Sequence, residues 1–264
     1  MAQGGGVHSI SGSGVFIDSR GVILTNAHVG QYFLLKDYPT PGNVDCTIRI
    51  GSPAAPRYHA TLLYLPPAWV ADNASQLVAQ EAKGTGENDY AFLLVTGLTG
   101  PGELPTSFPN IPMTTSAPDT NDSEFLAAYP AGFLDGITIE KSLYPTSAYA
   151  TVKDLFTFGT GNDVDLVSIG GTIVSQGGSS GGAAVRASDG KLQGIVATAT
   201  AGSTTAQRDL RAITLAHIER SLIAHGQGGF VQLLSQNLTE AAARFASSVA
   251  PGERQQLINA IEHK

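Results

Sequence analysis

Up to Leu215 the apolar residues of this chain fall in short runs with a period near two, and beyond it they recur every third or fourth position. That change of period predicts a β-rich body followed by helices. Val15-Phe16-Ile17 and Val22-Ile23-Leu24 are separated by Asp18-Ser19-Arg20-Gly21, a turn signal between β-prone runs, so they are expected to pair as a hairpin. Residues 46 to 50 and 58 to 65 continue the strand pattern, and Pro66-Pro67 breaks it. The segment to Gly86 reads as a surface excursion with a helical turn around 74 to 82. Asp89 then opens an apolar strand through Val95, and prolines at 101, 105, 109, 112 and 118 mark a connector. A second half is expected to start at 124 to 132 and at Gly136-Ile137-Thr138-Ile139, with further strands at 144 to 152, 164 to 169, 183 to 187 and 192 to 198. In the tail, His217 to Ile223 reads as a helix. Phe230, Leu234, Leu238, Ala242, Phe245 and Val249 share one helical face, and Pro251 opens another helix carrying Leu257, Ile258 and Ile261. Such a stripe most often faces the parent domain.

Composition narrows the picture. The 264 residues allow one large domain or two small ones, and 14% charged residues with 31 glycines suit tight turns between short strands. A formal charge of -7 offers no basic stripe, so nucleic acid is not an expected partner. Cys46 is the single cysteine, so no intramolecular disulfide forms, and with no cation beside it in sequence it is expected to be an inert, buried thiol. There is no run of about 18 apolar residues and no basic-then-apolar start, so neither a membrane span nor a signal peptide is expected. Residues 1–9 read as a flexible start.

The chemistry centres on Ser175-Gln176-Gly177-Gly178-Ser179-Ser180-Gly181-Gly182-Ala183-Ala184, where glycines on both sides of Ser180 let the backbone approach a reacting carbonyl. A serine hydroxyl needs a base to take its proton and a third group to orient that base. The candidates are His28, in Thr25-Asn26-Ala27-His28, and Asp89, at the entrance of its strand. Singly, each motif has a bland alternative: a turn histidine, an aspartate capping a turn, a glycine-rich bend. Gly178-Ser179-Ser180-Gly181-Gly182 also fits the Gly-x-Ser-x-Gly elbow of α/β-hydrolase esterases. That elbow needs a helix after Ser180 and acid and histidine downstream; here a hairpin follows, and Asp209 and His225 fall toward the tail. A third possibility is an inactive β module that binds peptides. His8, His59, His217, His225 and His263 show no ligand spacing, so no metal or other cofactor is expected.

Thr25-Asn26-Ala27-His28, Asp89 and Gly178-Ser179-Ser180-Gly181-Gly182, in that order, resemble the chymotrypsin-like serine endopeptidases. The Gly12-Ser13-Gly14-Val15 lead-in is most similar to their disulfide-free bacterial HtrA-type branch, and the resemblance covers residues 10 to 220. It implies an all-β fold of two six-stranded antiparallel β-barrels, within a protease domain at 10–225 (barrels at 10–100 and 120–215). The helical spacing beyond it reads as a C-terminal appendage at 226–264, with no sequence resembling the PDZ module common in HtrA-type proteins. The resemblance implies a His28, Asp89 and Ser180 triad that hydrolyses polypeptides through an acyl-enzyme, with Gly178 and Ser180 N–H groups as the oxyanion hole. Val174 would floor the S1 pocket beside Ser175, with Ala197, Thr198 and Ala199 as a wall. None of these is charged, so an apolar P1 is expected unless Asp163 or Asp165 reaches the pocket mouth. Ser179 stands where trypsin-type enzymes have Asp, and no Ile-Val-Gly-Gly start is present, so zymogen activation by a new amino terminus is not expected. Ala197 replaces a serine that supports the triad carboxylate, so Asp89 needs another donor. The resemblance leans to an extracytoplasmic location, with any export or anchor segment outside this sequence. Self-association through the tail is the alternative to its packing on the barrel.

Overall fold

The first hairpin forms where its turn signal lies. Val15–Asp18 (β1) pairs antiparallel with Val22–Thr25 (β2), and Gly21 closes the turn at φ +88° while its N–H donates to Asp18 O at 3.0 Å. The computed structural model describes residues 10–78, 85–200 and 202–263, without the side chains of Thr198 and Ala199. The expected flexible start and part of the helical turn expected over 74 to 82 lie outside them.

Ile48–Ile50 (β3), Ala55–Tyr64 (β4) and Ala91–Leu98 (β5) complete a curled antiparallel sheet in the order β1-β2-β5-β4-β3. Two short helices interrupt it, Ala27–Gly30 (α1) after β2 and Pro67–Asn73 (α2) after β4. Pro67 ends the strand pattern and occupies the first turn of α2, where a missing N–H leaves no bond unmade.

The second sheet runs β7-β6-β10-β11-β12-β9-β8, from Ser123–Ala128 (β6), Thr146–Thr151 (β7), Asp154–Phe156 (β8), Leu166–Gly170 (β9), Ala183–Arg186 (β10), Lys191–Ala199 (β11) and Leu210–Thr214 (β12). It wraps its own core of Leu126, Val167, Ile169, Val174, Val196 and Leu210. Two curled antiparallel sheets are thus present as expected, with five and seven strands rather than six each. The first is shorter because the Pro- and Gly-rich stretch between α1 and β3 folds into turns, and the second gains β8. One expected strand is a helix: Gly136–Lys141 (α3) starts where the Asp135 side chain accepts from Thr138 N at 2.9 Å and satisfies a free helix N–H.

The tail holds Leu215–Ala224 (α4), Gly229–Ser235 (α5), Leu238–Ser248 (α6) and Ala250–Glu262 (α7). The stripe from Phe230 to Val249 is therefore two helices, because Asn237 interrupts it and caps α6. Helix α4 lies against β11 and β12 of the second sheet, whereas α5 and α6 return to the first. Phe245 meets the Tyr64 ring edge-on at 6.2 Å, Phe230 meets Phe92 at 6.0 Å, and Leu257 is fully buried in the same core. Each such side chain contributes roughly 1.5–3 kcal/mol by leaving water. Among the described residues no helix is long and apolar enough to cross a membrane.

Candidate active site

His28 is carried by α1, three residues beyond the end of β2, and Asp89 stands two residues before β5, the strand that pairs with β2. A tight turn presents Asp89. Asn88 adopts φ +58° and Asp89 N donates to Gly86 O at 3.1 Å. The buried Asn26 amide donates to Asp89 O at 2.8 Å and ties the two segments together. Both Asp89 oxygens are used on one residue: Oδ2 lies 2.8 Å from His28 Nδ1, and Oδ1 accepts from the His28 backbone N–H at 2.9 Å. That backbone N–H is the further donor Asp89 was expected to need, residue 197 being alanine. The carboxylate holds the proton on Nδ1, which leaves Nε2 as an acceptor. Burial of the ring opposes its protonation, but the charge and hydrogen bond of Asp89 outweigh this, and the His28 pKa lies above its ordinary 6.5.

Ser180 is held by the loop between Val174 and β10. Ser180 O accepts from Ser13 N at 2.7 Å, and Gly181 N donates to Val196 O at 2.7 Å. Ser13 is also bonded to Thr25 Oγ1 through its carbonyl, at 2.7 Å, so one buried residue links the Ser180 loop to the strand end that delivers His28. The Ser180 hydroxyl itself donates to Ala197 O at 3.1 Å, and among the described residues it makes no hydrogen bond to His28.

The peptide between Gly177 and Gly178 is locked in orientation. Ala131 N donates to Gly177 O at 2.7 Å, and because N–H and C=O of a trans peptide point in opposite directions, Gly178 N–H faces away from Ala131. Gly178 sits at φ +87°, and a Cβ there would come within 2.8 Å of both Ala131 N and Tyr129 O. The Ser13 hydroxyl completes the lock, donating to Gly178 O at 2.8 Å and accepting from Tyr129 N at 2.9 Å. The only sequence signal for Ser13 was its place in the Gly-Ser-Gly lead-in, which said nothing of this contact.

Of the residues expected to line S1, three have described side chains, and these are buried. Val174 and Ser175 have no exposed surface, Val174 packing in the second core, and Ala197 is 2% exposed. The Thr198 and Ala199 side chains lie outside the described residues. Asp163 and Asp165 do not reach a pocket mouth, because both pair with Arg220 on α4, at 3.6 and 2.6 Å. The elbow alternative also lacks its partners: β10 follows Ser180, Asp209 is held by Arg211 at 3.0 Å, and His225 Nδ1 lies 2.8 Å from Ser221 O. The Cys46 thiol is half-buried, and burial with the nearby Asp45 charge raises its pKa to about 11, which keeps it protonated. Among the described residues no group of three His, Cys, Asp or Glu side chains converges on a metal position.

Solved structures with a similar course of chain include an HtrA-type protease, AlgW, with a decapeptide, at 22% identity and TM-score 0.49 over 81% of this chain and 52% of that one. They also include the Rv3671c protease from M. tuberculosis in its active form, at 18% identity and TM-score 0.47 over 81% and 73%. Neuropsin, a serine protease expressed in the limbic system of mouse brain, matches at 13% identity and TM-score 0.48 over 80% and 86%. The chain spans about half the length of the AlgW chains it matches. A comparison with curated proteins finds no match. The trypsin-like peptidase domain model matches residues 12–195, from the Gly-Ser-Gly lead-in through β2, α1, β5 and the Ser180 loop to the middle of β11, and on that extent the chain belongs to the trypsin-like peptidase family.

Proposed function

We propose that this protein is a serine endopeptidase with His28, Asp89 and Ser180 as its triad. The observation that carries it is the Asp89 carboxylate engaging both Nδ1 and the backbone N–H of His28, on a segment joined through Thr25 and Ser13 to the loop of Ser180. Ser180 rests on the Ala197 carbonyl, and a turn about χ1 between staggered positions redirects its hydroxyl. His28 Nε2 then takes the Oγ proton as Oγ attacks the substrate carbonyl carbon. Asp89 stabilises the imidazolium without itself accepting the proton. The carbonyl oxygen gains the negative charge and is met by the N–H groups of Gly178 and Ser180, each worth on the order of 10²–10³ in rate. Collapse of the tetrahedral intermediate expels the amine, which receives the proton from His28 and leaves an ester on Ser180. Water, deprotonated by the same nitrogen, hydrolyses that ester.

An apolar P1 is the expectation from Val174, Ala197, Thr198 and Ala199, none of which is charged, and the Val174 side chain itself packs in the second core. A fluorophosphonate probe tests the main reading: it should label the wild type and not Ser180→Ala, and the wild type, unlike an esterase of the elbow type, should cleave internal peptide bonds of polypeptide substrates. Labelling that survives in Ser180→Ala sinks the assignment.

A further inference from the structure

Arg208 stands on the turn before β12, half-buried, and its guanidinium spans the two segments that flank Ser180. Nη1 donates to Ser175 O at 3.0 Å, on the nucleophile loop, and Nε donates to Gly202 O at 3.2 Å, just beyond β11. The Ser180 hydroxyl rests on β11 through Ala197 O. A scissile carbonyl placed on Ser180 Oγ, with its oxygen toward Gly178 N–H, directs the side chain of the residue that owns it between these same two segments. The Phe133 ring forms the outer side, 5.8 Å from the guanidinium carbon. Its neighbour Gly132 abuts the nucleophile loop, where a Cβ would lie 2.9 Å from Gly177 N.

Every partner of this cation is neutral. Among the described residues no carboxylate lies within 4 Å of Arg208, while the adjacent Asp209 is turned to Arg211, Ser168 and Gly170 N, and Asp163 and Asp165 are taken by Arg220. A guanidinium has five N–H donors in a planar fork that matches a carboxylate, and two carbonyls leave part of that fork free. A cation partly withdrawn from water, with only dipoles around it, gains most from a charged partner.

We propose that Arg208 makes this site select an acidic side chain, glutamate or aspartate, at P1. This rests on Ser180 being the nucleophile. Phe133 holds the guanidinium plane and covers the stem of the bound side chain, and a lysine or arginine at P1 meets a like charge instead of a partner.

The test compares peptides that differ only at P1, as Glu, Gln, Leu or Lys, by kcat/KM with the wild type and by fluorescence anisotropy with Ser180→Ala. The Glu peptide should exceed its isosteric Gln twin by about 10- to 100-fold, the range of a charge-assisted hydrogen bond. Arg208→Gln should collapse that ratio toward one, Arg208→Lys should keep it in weakened form, and Arg208→Glu should favour Lys. The Glu-to-Gln ratio of the wild type needs no variant, so a misfolded substitution leaves the test intact. Equal binding of Glu and Gln peptides, or a Leu preference that ignores residue 208, overturns the proposal. Arg208-dependent binding of the Glu peptide without any turnover keeps the acidic pocket and sinks the peptidase reading instead.

Discussion

Each of the two sheets carries a histidine three residues past the end of a strand and an aspartate at the entrance of that strand's partner. In the first it is Thr25-Asn26-Ala27-His28 after β2, with Asp89 ahead of β5; in the second it is Thr214-Leu215-Ala216-His217 after β12, with Asp165 ahead of β9. In both, Nδ1 meets the carboxylate, at 2.8 and 2.9 Å. The surroundings differ. The His28 side chain is 37% exposed and Asp89 serves it alone, through side chain and backbone N–H. The His217 side chain is 10% exposed, its ring lies against Phe158 at 4.8 Å, and its buried Nε2 has no partner among the described residues. Asp165 is shared with Arg220, Phe158 N and Thr157 Oγ1. Burial lowers the His217 pKa, helped by the Arg220 charge and against the pull of Asp165, whereas the His28 pKa is raised. A His–Asp pair becomes a general base only when its outer nitrogen is open and its carboxylate is not already neutralised.

The largest expected effect separates the pairs outright. Asp89→Asn should lower kcat by about 10⁴ with little change in fold, because the wrong tautomer then faces Ser180. Asp165→Asn should leave turnover of the folded enzyme nearly intact while costing about 3 kcal/mol of stability, as a broken buried pair does. Kinetics beside thermal melts check both, and loss of turnover in folded Asp165→Asn would break the comparison.

Next in size is Ser13→Ala. Removing the hydroxyl that joins Gly178 O to Tyr129 N should loosen the oxyanion loop and lower kcat by about 10²-fold, with KM changing far less. A rise in KM alone would assign Ser13 to substrate binding instead.

The pH dependence sharpens the contrast through its sign. With its folded pKa raised, His28 contributes stability that is fully present below the unfolded value of 6.5 and is lost as pH rises through the folded value. His217, with its folded pKa lowered, is protonated more readily when unfolded, so its burial costs stability as pH falls below 6.5 toward the folded value. Melting temperatures of His28→Gln and His217→Gln, each referred to the wild type, should therefore drift in opposite directions with pH. Since the base must be neutral, kcat/KM should rise through a midpoint above 6.5. A midpoint below it would mean that Asp89 does not hold the imidazolium.

The smallest effect concerns a buried carboxylate with no histidine at all. Both Glu253 oxygens on α7 are buried and have no hydrogen-bond partner among the described residues, and burial raises its pKa to about 8. Its ionisation thus removes stability as pH climbs from 4.5 toward 8, and Glu253→Gln should raise the melting temperature at pH 8 while leaving it near the wild-type value at pH 5. An unchanged melt at pH 8 would show that the carboxylate finds a partner in solution.

Much of this was legible in the residue order. Period-two runs, the Asp18 to Gly21 turn and the switch of period near Leu215 are local signals, and the elements they announce are present. The glycines around Ser180 and the order His28, Asp89, Ser180 likewise pointed to the candidate site. Local signals were outvoted where a cap intervened. Asp135 turned an apolar tetrapeptide into α3, and Asn237 split one helical stripe in two.

The amino-acid sequence by itself determined the β character of the body, the helices of the tail and the identity of the candidate nucleophile, base and orienter. Only the tertiary structure decided which of two Thr-x-Ala-His segments keeps an open nitrogen, since that depends on Phe158 and Arg220 reaching His217 and Asp165 from elsewhere in the chain. It also sent α5 and α6 back to the first sheet, buried Val174 in the second core, and placed Ser13 against Gly178 and Arg208 against Ser175. Hydrogen bonds across 165 residues from Ser13 to Gly178, or 33 from Ser175 to Arg208, leave no periodicity to read. They exist only once the chain has closed on itself.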